Sequence, residues 1–95
     1  MPRIDLLVRL DDHIEIIEAK AQPKLKDVSE LIFYENALKH DKRYKDAQIL
    51  PWELIFITLD DQKSIEKYCD SFNIIYIYVP EHELPEPDFI YKGNI

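Results

Sequence analysis

Two apolar runs near the start of the chain flank a short acidic break, and this pattern constrains the fold more than any other in the sequence. The runs are residues 3–10 and 13–20, and Asp11 with Asp12 separates them. Apolar runs around a short polar break predict an antiparallel β-hairpin. With Asp11 and Asp12 as a two-residue loop, cross-strand partners have residue numbers that sum to 23. Side chains alternate between faces, so only a loop with an even number of residues keeps this pairing.

The predicted register places two carboxylates opposite each other. Asp5 would face Glu18 and Arg3 would face Lys20, with all four side chains on one face of the hairpin. Directly paired residues have Cβ atoms about 4.5–5.5 Å apart, so two carboxylates in such a pair repel each other. The pair therefore requires a cation, either a neighbouring lysine or a divalent metal ion.

The length of the chain predicts one small domain. A chain of 95 residues has a thin core, because it buries only about 60–65% of its unfolded surface. Cys69 is the single cysteine, which excludes an intrachain disulfide and a cysteine-cluster metal site. The sequence has neither an apolar run near the ~20 residues of a membrane span nor a signal-peptide pattern. An intracellular, cytoplasmic protein that does not enter a membrane is therefore expected.

The charge balance argues against non-specific binding to nucleic acid. The net charge is -7 at pH 7, and nucleic-acid affinity without sequence preference depends on positive charge. Basic residues are nevertheless concentrated in residues 20–45, so a nucleic acid would approach that segment. The basic residues of this segment are Lys20, Lys24, Lys26, Lys39, Lys42, Arg43 and Lys45.

The middle of the chain predicts an amphipathic helix and then a connection. Residues 25–39 contain apolar side chains at three-to-four spacing and no glycine or proline, which is typical of a helix. Glu30 and Tyr34 lie one turn apart on that helix and can act together. Residues 40–51 are mainly polar and basic and predict a long connection. It is either a solvated loop or a contact for phosphates.

The second half predicts two buried strands around a short helix. The near-continuous apolar runs at residues 52–59 and 74–79 are typical of strands buried on both faces. Asp60 and Asp61 predict the N-cap of the intervening helix, which Asn73 ends. Strand–helix–strand units of this kind predict right-handed parallel crossovers.

The element order is therefore ββαβαβ, which predicts an α/β fold with a mixed four-stranded sheet flanked by helices. These elements define a domain over residues 1–79. Residues 80–95 are acidic and contain three prolines, and they predict an extended C-terminal arm. The aromatic patch at residues 89–91 is expected to dock on its own sheet or on a second subunit.

Three short segments together resemble the motifs of one nuclease superfamily. They are Arg3-Ile4-Asp5-Leu6, Ile17-Glu18-Ala19-Lys20 and Glu30-Leu31-Ile32-Phe33-Tyr34. With the element order, they resemble the PD-(D/E)xK nucleases of the restriction-endonuclease-like fold. The closest likeness is to the archaeal Holliday-junction resolvase, branched-DNA endonuclease and RecB-like branches. The resemblance covers roughly residues 3–79 and implies a minimal restriction-endonuclease-like core.

Two departures accompany the resemblance. The family usually has a helix before the first strand, whereas this sequence begins at the strand. Glu30 stands where many members have glutamine, and it adds a negative charge near the site. Either departure is compatible with altered or lost activity, or with a partner chain that completes the fold.

The resemblance implies a metal-dependent deoxyribonuclease. Asp5, Glu18 and the Ala19 carbonyl would bind Mg²⁺ or Mn²⁺, which prefer oxygen ligands. Asp5, Glu18 and Lys20 would be the catalytic residues, with Lys20 positioned to orient or deprotonate the attacking water. The products would carry a 5′-phosphate and a 3′-hydroxyl.

The resemblance further implies supporting residues and a DNA partner. Residues expected to bind DNA or support the site are Arg3, Glu30, Tyr34, Lys24, Lys42 and Arg43. A homodimer is expected, since a second copy would cover exposed apolar surface and supply a second site for the second strand. A monomer would suffice if the cut is the nicking of a flap.

Simpler interpretations stand beside these. Asp5 can be a strand-end cap, and Glu18 with Lys20 can form an exposed charge ladder. Tyr34 can be a core residue, and His13 is expected to be an isolated surface residue, as are the other two histidines. At the level of the whole chain, the alternatives are a catalytically inactive member that binds nucleic acid or a protein partner, and an unrelated α/β interaction domain.

Overall fold

The computed structural model describes residues 6–80, apart from the side chains of residues 46 and 47. Seven elements follow one another in this part of the chain. They are β1 (Leu6–Arg9), β2 (Ile14–Lys20), α1 (Leu25–Lys39), a 3₁₀ segment (Lys42–Ile49), β3 (Trp52–Thr58), α2 (Lys63–Ser71) and β4 (Ile75–Tyr78). Residues 81–95, which hold the predicted C-terminal arm, lie outside the described residues.

The four strands form one mixed sheet in the order β1-β2-β3-β4. β1 and β2 are antiparallel, whereas β2 with β3 and β3 with β4 are parallel. The predicted α/β class, the element order and the mixed four-stranded sheet are therefore confirmed. Membership of the nuclease superfamily stays a prediction.

The β1–β2 hairpin has the predicted register. Cross-strand pairs run from Leu6 opposite Ile17 to Arg9 opposite Ile14. The Leu10 amide donates to the His13 carbonyl at 2.9 Å, which closes the turn. Asp5 and Arg3, and with them the predicted pairs to Glu18 and Lys20, lie outside the described residues.

Both helices pack on one face of the sheet, here called the covered face. A right-handed crossover places its helix on one side of the sheet, and β2–α1–β3 and β3–α2–β4 advance in the same direction. The two helices therefore lie on the same side, where their apolar side chains meet those of β2 and β3. The buried residues of this core are Ile16, Val28, Leu31, Leu54, Phe56, Ile65, Cys69 and Ile74.

The other face of the sheet, here called the open face, carries the remaining side chains of each strand. Ile55 at its centre is buried, but Leu6, Ile75 and Ile77 are 51%, 44% and 39% exposed. The expectation that residues 74–79 form a strand buried on both faces is therefore wrong. β4 is an edge strand, and within residues 6–80 both α-helices cover the opposite face.

The helix α1 matches its predicted bounds of 25–39. Its first turn is capped by Asp27, whose carboxylate accepts a hydrogen bond from the Lys24 amide at 2.8 Å. Pro23 is buried just before the helix starts, where proline is well tolerated. The following connection contains the 3₁₀ segment over much of its length.

The helix α2 begins later than predicted. Gln62 occupies the N-cap position, so the prediction that Asp60 and Asp61 cap this helix is wrong. Asp60 and Asp61 form hydrogen bonds with other residues instead. The Thr58 hydroxyl bonds both the amide and the carbonyl of Asp60 at 3.0 Å, and Asp61 accepts from the Tyr76 hydroxyl at 3.0 Å.

Among residues 6–80, neither α-helix is long and apolar enough to cross a bilayer.

Candidate functional site

Glu18 and Lys20 lie at the carboxyl end of β2. Both side chains belong to the covered face, because residues two apart on a strand point the same way. Glu18 is only 2% exposed, and Lys20 is half-buried. A charge is rarely buried without a compensating partner. The burial of Glu18 argues against the interpretation of Glu18 and Lys20 as an exposed charge ladder.

The predicted metal ligands are described only in part. Glu18 and Ala19 are adjacent on β2, and the exposed Ala19 side chain belongs to the open face. Asp5, predicted to be the second carboxylate, and Arg3, predicted to reach a phosphate, lie outside the described residues. Glu18, Ala19 and Lys20 are consecutive at the carboxyl end of β2, and the roles predicted for them, like those of Asp5 and Arg3, stay predictions.

The carboxyl ends of β2, β3 and β4 meet at the same edge of the sheet. The N-termini of α1 and α2 lie at this edge as well, because each helix follows a strand through a short connection. In doubly wound α/β sheets, ligands bind at the carboxyl ends of the strands where the strand order reverses, and the sheet of residues 6–80 has no such reversal. Helix N-termini favour anions. Glu18 and Lys20 therefore lie at the end of the sheet where both helices begin.

A hydrogen-bond network organises the β3–α2 connection at this edge. The Gln62 amide donates to the Tyr76 hydroxyl at 3.0 Å, and that hydroxyl donates to Asp61. Burial raises the pKa of Tyr76 above its ordinary value. Glu18, Phe56 and Tyr76 form one cross-strand row, which puts Tyr76 about 10 Å from Glu18 at two strand spacings. This network fixes the β3–α2 connection against β4.

Glu30 and Tyr34 lie on α1 as predicted, one turn apart. Tyr34 is buried, and its ring meets the Phe33 ring edge-on at a centroid distance of 6.3 Å. Glu30 is half-buried. A buried Tyr34 fits the interpretation as a packing residue at least as well as a catalytic support.

The basic residues predicted to bind DNA fall into two places. Lys24 is exposed at the start of α1, beside the edge that holds Glu18 and Lys20. Lys42 and Arg43 are exposed beyond the other end of α1. A helix of 15 residues is about 22 Å long at a rise of 1.5 Å per residue, so one short phosphate stretch cannot reach both groups.

Arg43 already has an anionic partner. Its guanidinium contacts the Asp41 carboxylate at 2.7 Å and lies 5.8 Å from the Tyr44 ring centroid. Hydrogen bonds from Arg43 lower the pKa of Asp41 below its ordinary value. A phosphate that binds Arg43 must compete with this ion pair.

A second group of polar side chains lies on the open face, at the amino-terminal ends of β2 and β3. His13 Nε2 is 2.9 Å from Glu15 Oε2 and 3.6 Å from Glu53 Oε2. One ligand atom from each of these three residues lies within 4.8 Å of the others, so the group can hold a metal ion. His13 is therefore not isolated, contrary to the sequence-based expectation.

The electrostatics of this group centre on the imidazole. Hydrogen bonds to Glu15 and then to Asp12 raise the pKa of His13 to about 9. His13 Nδ1 lies 2.7 Å from Asp12 Oδ1, and this contact lowers the pKa of Asp12. Each ring nitrogen of His13 is therefore hydrogen-bonded to a carboxylate.

Two of the three members of this group could be found in the sequence. His13 and Glu15 are two residues apart on a predicted strand, so their side chains share a face. Glu53 comes from a distant strand, and only the parallel register of β2 with β3 places it beside Glu15. Sequence periodicity does not specify that register.

A surface groove between α2 and β4 offers no comparable chemistry. Its lining mixes charges of both signs with apolar side chains and includes Lys63, Glu66, Lys67, Asp70 and Tyr76. Lys63 is already paired with Asp61 and Glu66.

A comparison of the chain with protein-family models, with curated proteins and with solved structures found no match.

Proposed function

We propose that this protein is a metal-dependent DNA endonuclease that hydrolyses phosphodiester bonds in branched or duplex DNA. The observation that carries the proposal is the burial of Glu18 at the carboxyl end of β2, with Lys20 on the same face. The pair lies beside a helix N-terminus, and the motif Ile17-Glu18-Ala19-Lys20 resembles that of the PD-(D/E)xK nucleases.

The donor set suits a hard divalent ion. Carboxylate oxygens of Asp5 and Glu18 and the carbonyl oxygen of Ala19 would hold Mg²⁺ or Mn²⁺, which both favour oxygen ligands. Such an ion, when bound, polarises a phosphate and lowers the pKa of a coordinated water. Both effects are needed to cleave a phosphodiester at neutral pH.

The residues of the chain supply the remaining chemistry. Lys20 would orient the attacking water, accept its proton or stabilise the negative charge that develops on the phosphate. Glu30 and Tyr34 would support the site through hydrogen bonds. Arg3, Lys24, Lys42 and Arg43 would contact the DNA backbone.

We further propose that the protein acts as a homodimer. Apolar side chains are exposed on the open face, among them Leu6, Ile75 and Ile77. Contact with another protein surface would remove them from water. A second copy related by a two-fold axis would cover this face and present a second active site to the second DNA strand.

The alternative is a catalytically inactive protein of the same fold that binds nucleic acid or a protein partner. The net charge of -7 and the ion pair between Arg43 and Asp41 favour this alternative, because both weaken attraction to phosphates.

The experiment is cleavage of labelled linear, flap, four-way-junction and single-stranded DNA with Mg²⁺ or Mn²⁺. The parent is compared with Glu18→Ala and Lys20→Ala, and Lys26→Ala is a matched control because Lys26 is an exposed lysine on α1. Cutting that requires the metal and is lost only in the two site variants supports the nuclease. No cutting of any DNA by the folded parent favours the binding protein.

A further inference from the structure

The register of the parallel strands places two glutamates side by side on the open face. Glu15 of β2 is the direct partner of Glu53 of β3. Like charges in directly paired positions destabilise a sheet. A cation between the two carboxylates would relieve this repulsion, and either the protonated His13 ring or a metal ion can supply it.

The imidazole of His13 contacts both carboxylates, and one ligand atom from each of the three residues lies within 4.8 Å of the others. Zinc lies about 2.0–2.2 Å from nitrogen and oxygen ligands, so neighbouring ligand atoms are roughly 3.0–3.4 Å apart in octahedral or tetrahedral sites. The distances from His13 Nε2 to the two glutamate oxygens, 2.9 and 3.6 Å, bracket that range. Small side-chain rotations of Glu15 and Glu53 would complete the geometry.

Asp12 provides the outer partner that metal-binding histidines usually have. A histidine that binds a metal through one nitrogen commonly donates its other N–H to a carboxylate, which fixes the tautomer and the ring orientation. His13 Nδ1 is 2.7 Å from Asp12 Oδ1, which leaves Nε2 directed at the two glutamates. Asp12 is in the hairpin loop and exposed, so this contact is not forced by packing.

We propose that His13, Glu15 and Glu53 bind a divalent transition-metal ion of the zinc type, with Asp12 as the positioning residue. One nitrogen and two carboxylate ligands suit zinc better than Mg²⁺ or Ca²⁺, which favour oxygen ligands alone. Three protein ligands leave a coordination position to water or to an external ligand. The ion would connect the hairpin to β3 and neutralise the paired glutamates.

This site is separate from the proposed nuclease site. Glu15 and Glu18 belong to opposite faces of β2, and three residues of strand put them about 10 Å apart. The inference therefore goes beyond the proposed function, and either can fail without the other.

Zinc binding to the full chain, measured by isothermal titration calorimetry, tests the proposal. A mildly alkaline buffer is appropriate because the ring nitrogen must lose its proton to bind a metal. We expect one zinc per chain in the parent and a loss of at least about tenfold in affinity in His13→Gln and in Glu53→Gln. His40→Gln and Glu66→Gln, which change exposed or half-exposed residues elsewhere, should bind zinc as the parent does.

Two further measurements separate this site from others. Asp12→Ala should weaken zinc binding by roughly 10- to 100-fold without removing a ligand. In NMR spectra, zinc should shift the imidazole signals of His13 and leave those of His40 in place. Absence of zinc binding, binding unaffected by His13→Gln, or binding lost in Glu18→Gln but retained in His13→Gln would each overturn the proposal.

Discussion

His13 links the hairpin loop to two strands through charge. Without a metal, its protonated ring is the cation between Glu15 and Glu53, and hydrogen bonds to Glu15 and Asp12 raise its pKa from 6.5 to about 9. A raised pKa means that the folded state binds the proton more tightly than the unfolded state. The stabilisation is therefore fully present below pH 6.5 and is lost as the pH rises through about 9.

When both proteins are measured below pH 6.5, we expect His13→Gln to have a lower urea midpoint than the parent. The difference between the two midpoints should shrink above about pH 9. A chelator must be present, so that the proton alone is measured. Fluorescence of Trp52, the single tryptophan, reports the unfolding. A difference that does not depend on pH would show that the ring does not act through its charge.

Cys69 is predicted to be unreactive in the folded protein. Cys69 is on α2 and its thiol is fully buried in the core, and this burial raises the pKa of the thiol to about 11. Since the thiolate is the nucleophile, both effects slow alkylation. We expect iodoacetamide to label Cys69 much faster in urea than in the native state, as measured by mass spectrometry. Equal rates in the two conditions would contradict the buried position.

At the scale of single elements, the start of α1 depends on one carboxylate. Asp27 accepts the Lys24 amide at 2.8 Å in the first turn, where a negative charge also favours the helix. We expect Asp27→Ala to lower the free energy of unfolding by about 1 kcal/mol. Lys24→Ala is the matched control, because the donor is a backbone amide that the substitution keeps. Equal losses in both variants would contradict the capping role.

Local patterns predicted much of the fold. The hairpin register and the bounds of α1 follow from alternation and three-to-four spacing, which short stretches of sequence specify. The burial of β4 and the N-cap of α2 did not follow. Both depend on the direction of the crossovers and on tertiary bonds such as that from Tyr76 to Asp61.

The candidate site residues also include some that a local pattern indicated and some that depend on tertiary structure. Glu18 and Lys20 were proposed from a contiguous motif, and the structure has them on one face at the carboxyl end of β2, while their roles stay predictions. The group of His13, Glu15 and Glu53 was missed, because its third member is brought in by the register of two parallel strands. Such a group becomes visible only when strand order and register are known.

At the scale of the whole molecule, the open face predicts self-association. We expect the parent to sediment as a dimer and Ile77→Lys to sediment as a monomer, since a charge in an apolar interface must be desolvated. Ile49→Lys is the matched control, because Ile49 is 86% exposed on the 3₁₀ segment, away from this face. A monomeric parent, or a dimer that tolerates Ile77→Lys, would contradict the proposed arrangement.

The nuclease proposal itself depends on Glu18 acting through its charge. The variant Glu18→Gln keeps the size of the side chain and removes the charge that would hold a metal ion. Glu66→Gln on α2 makes the same chemical change at a half-exposed position. Unfolding curves from Trp52 fluorescence would establish that each variant is folded.

The most direct measurement is the rate of Mg²⁺-dependent cleavage of a four-way junction and a linear duplex by the parent, Glu18→Gln and Glu66→Gln. We predict that the parent cuts at least one of these DNAs, that Glu66→Gln cuts it equally fast, and that Glu18→Gln is slower by about 100-fold or more. Cleavage by folded Glu18→Gln at the rate of the parent, or no cleavage by the parent with either DNA, would contradict the account.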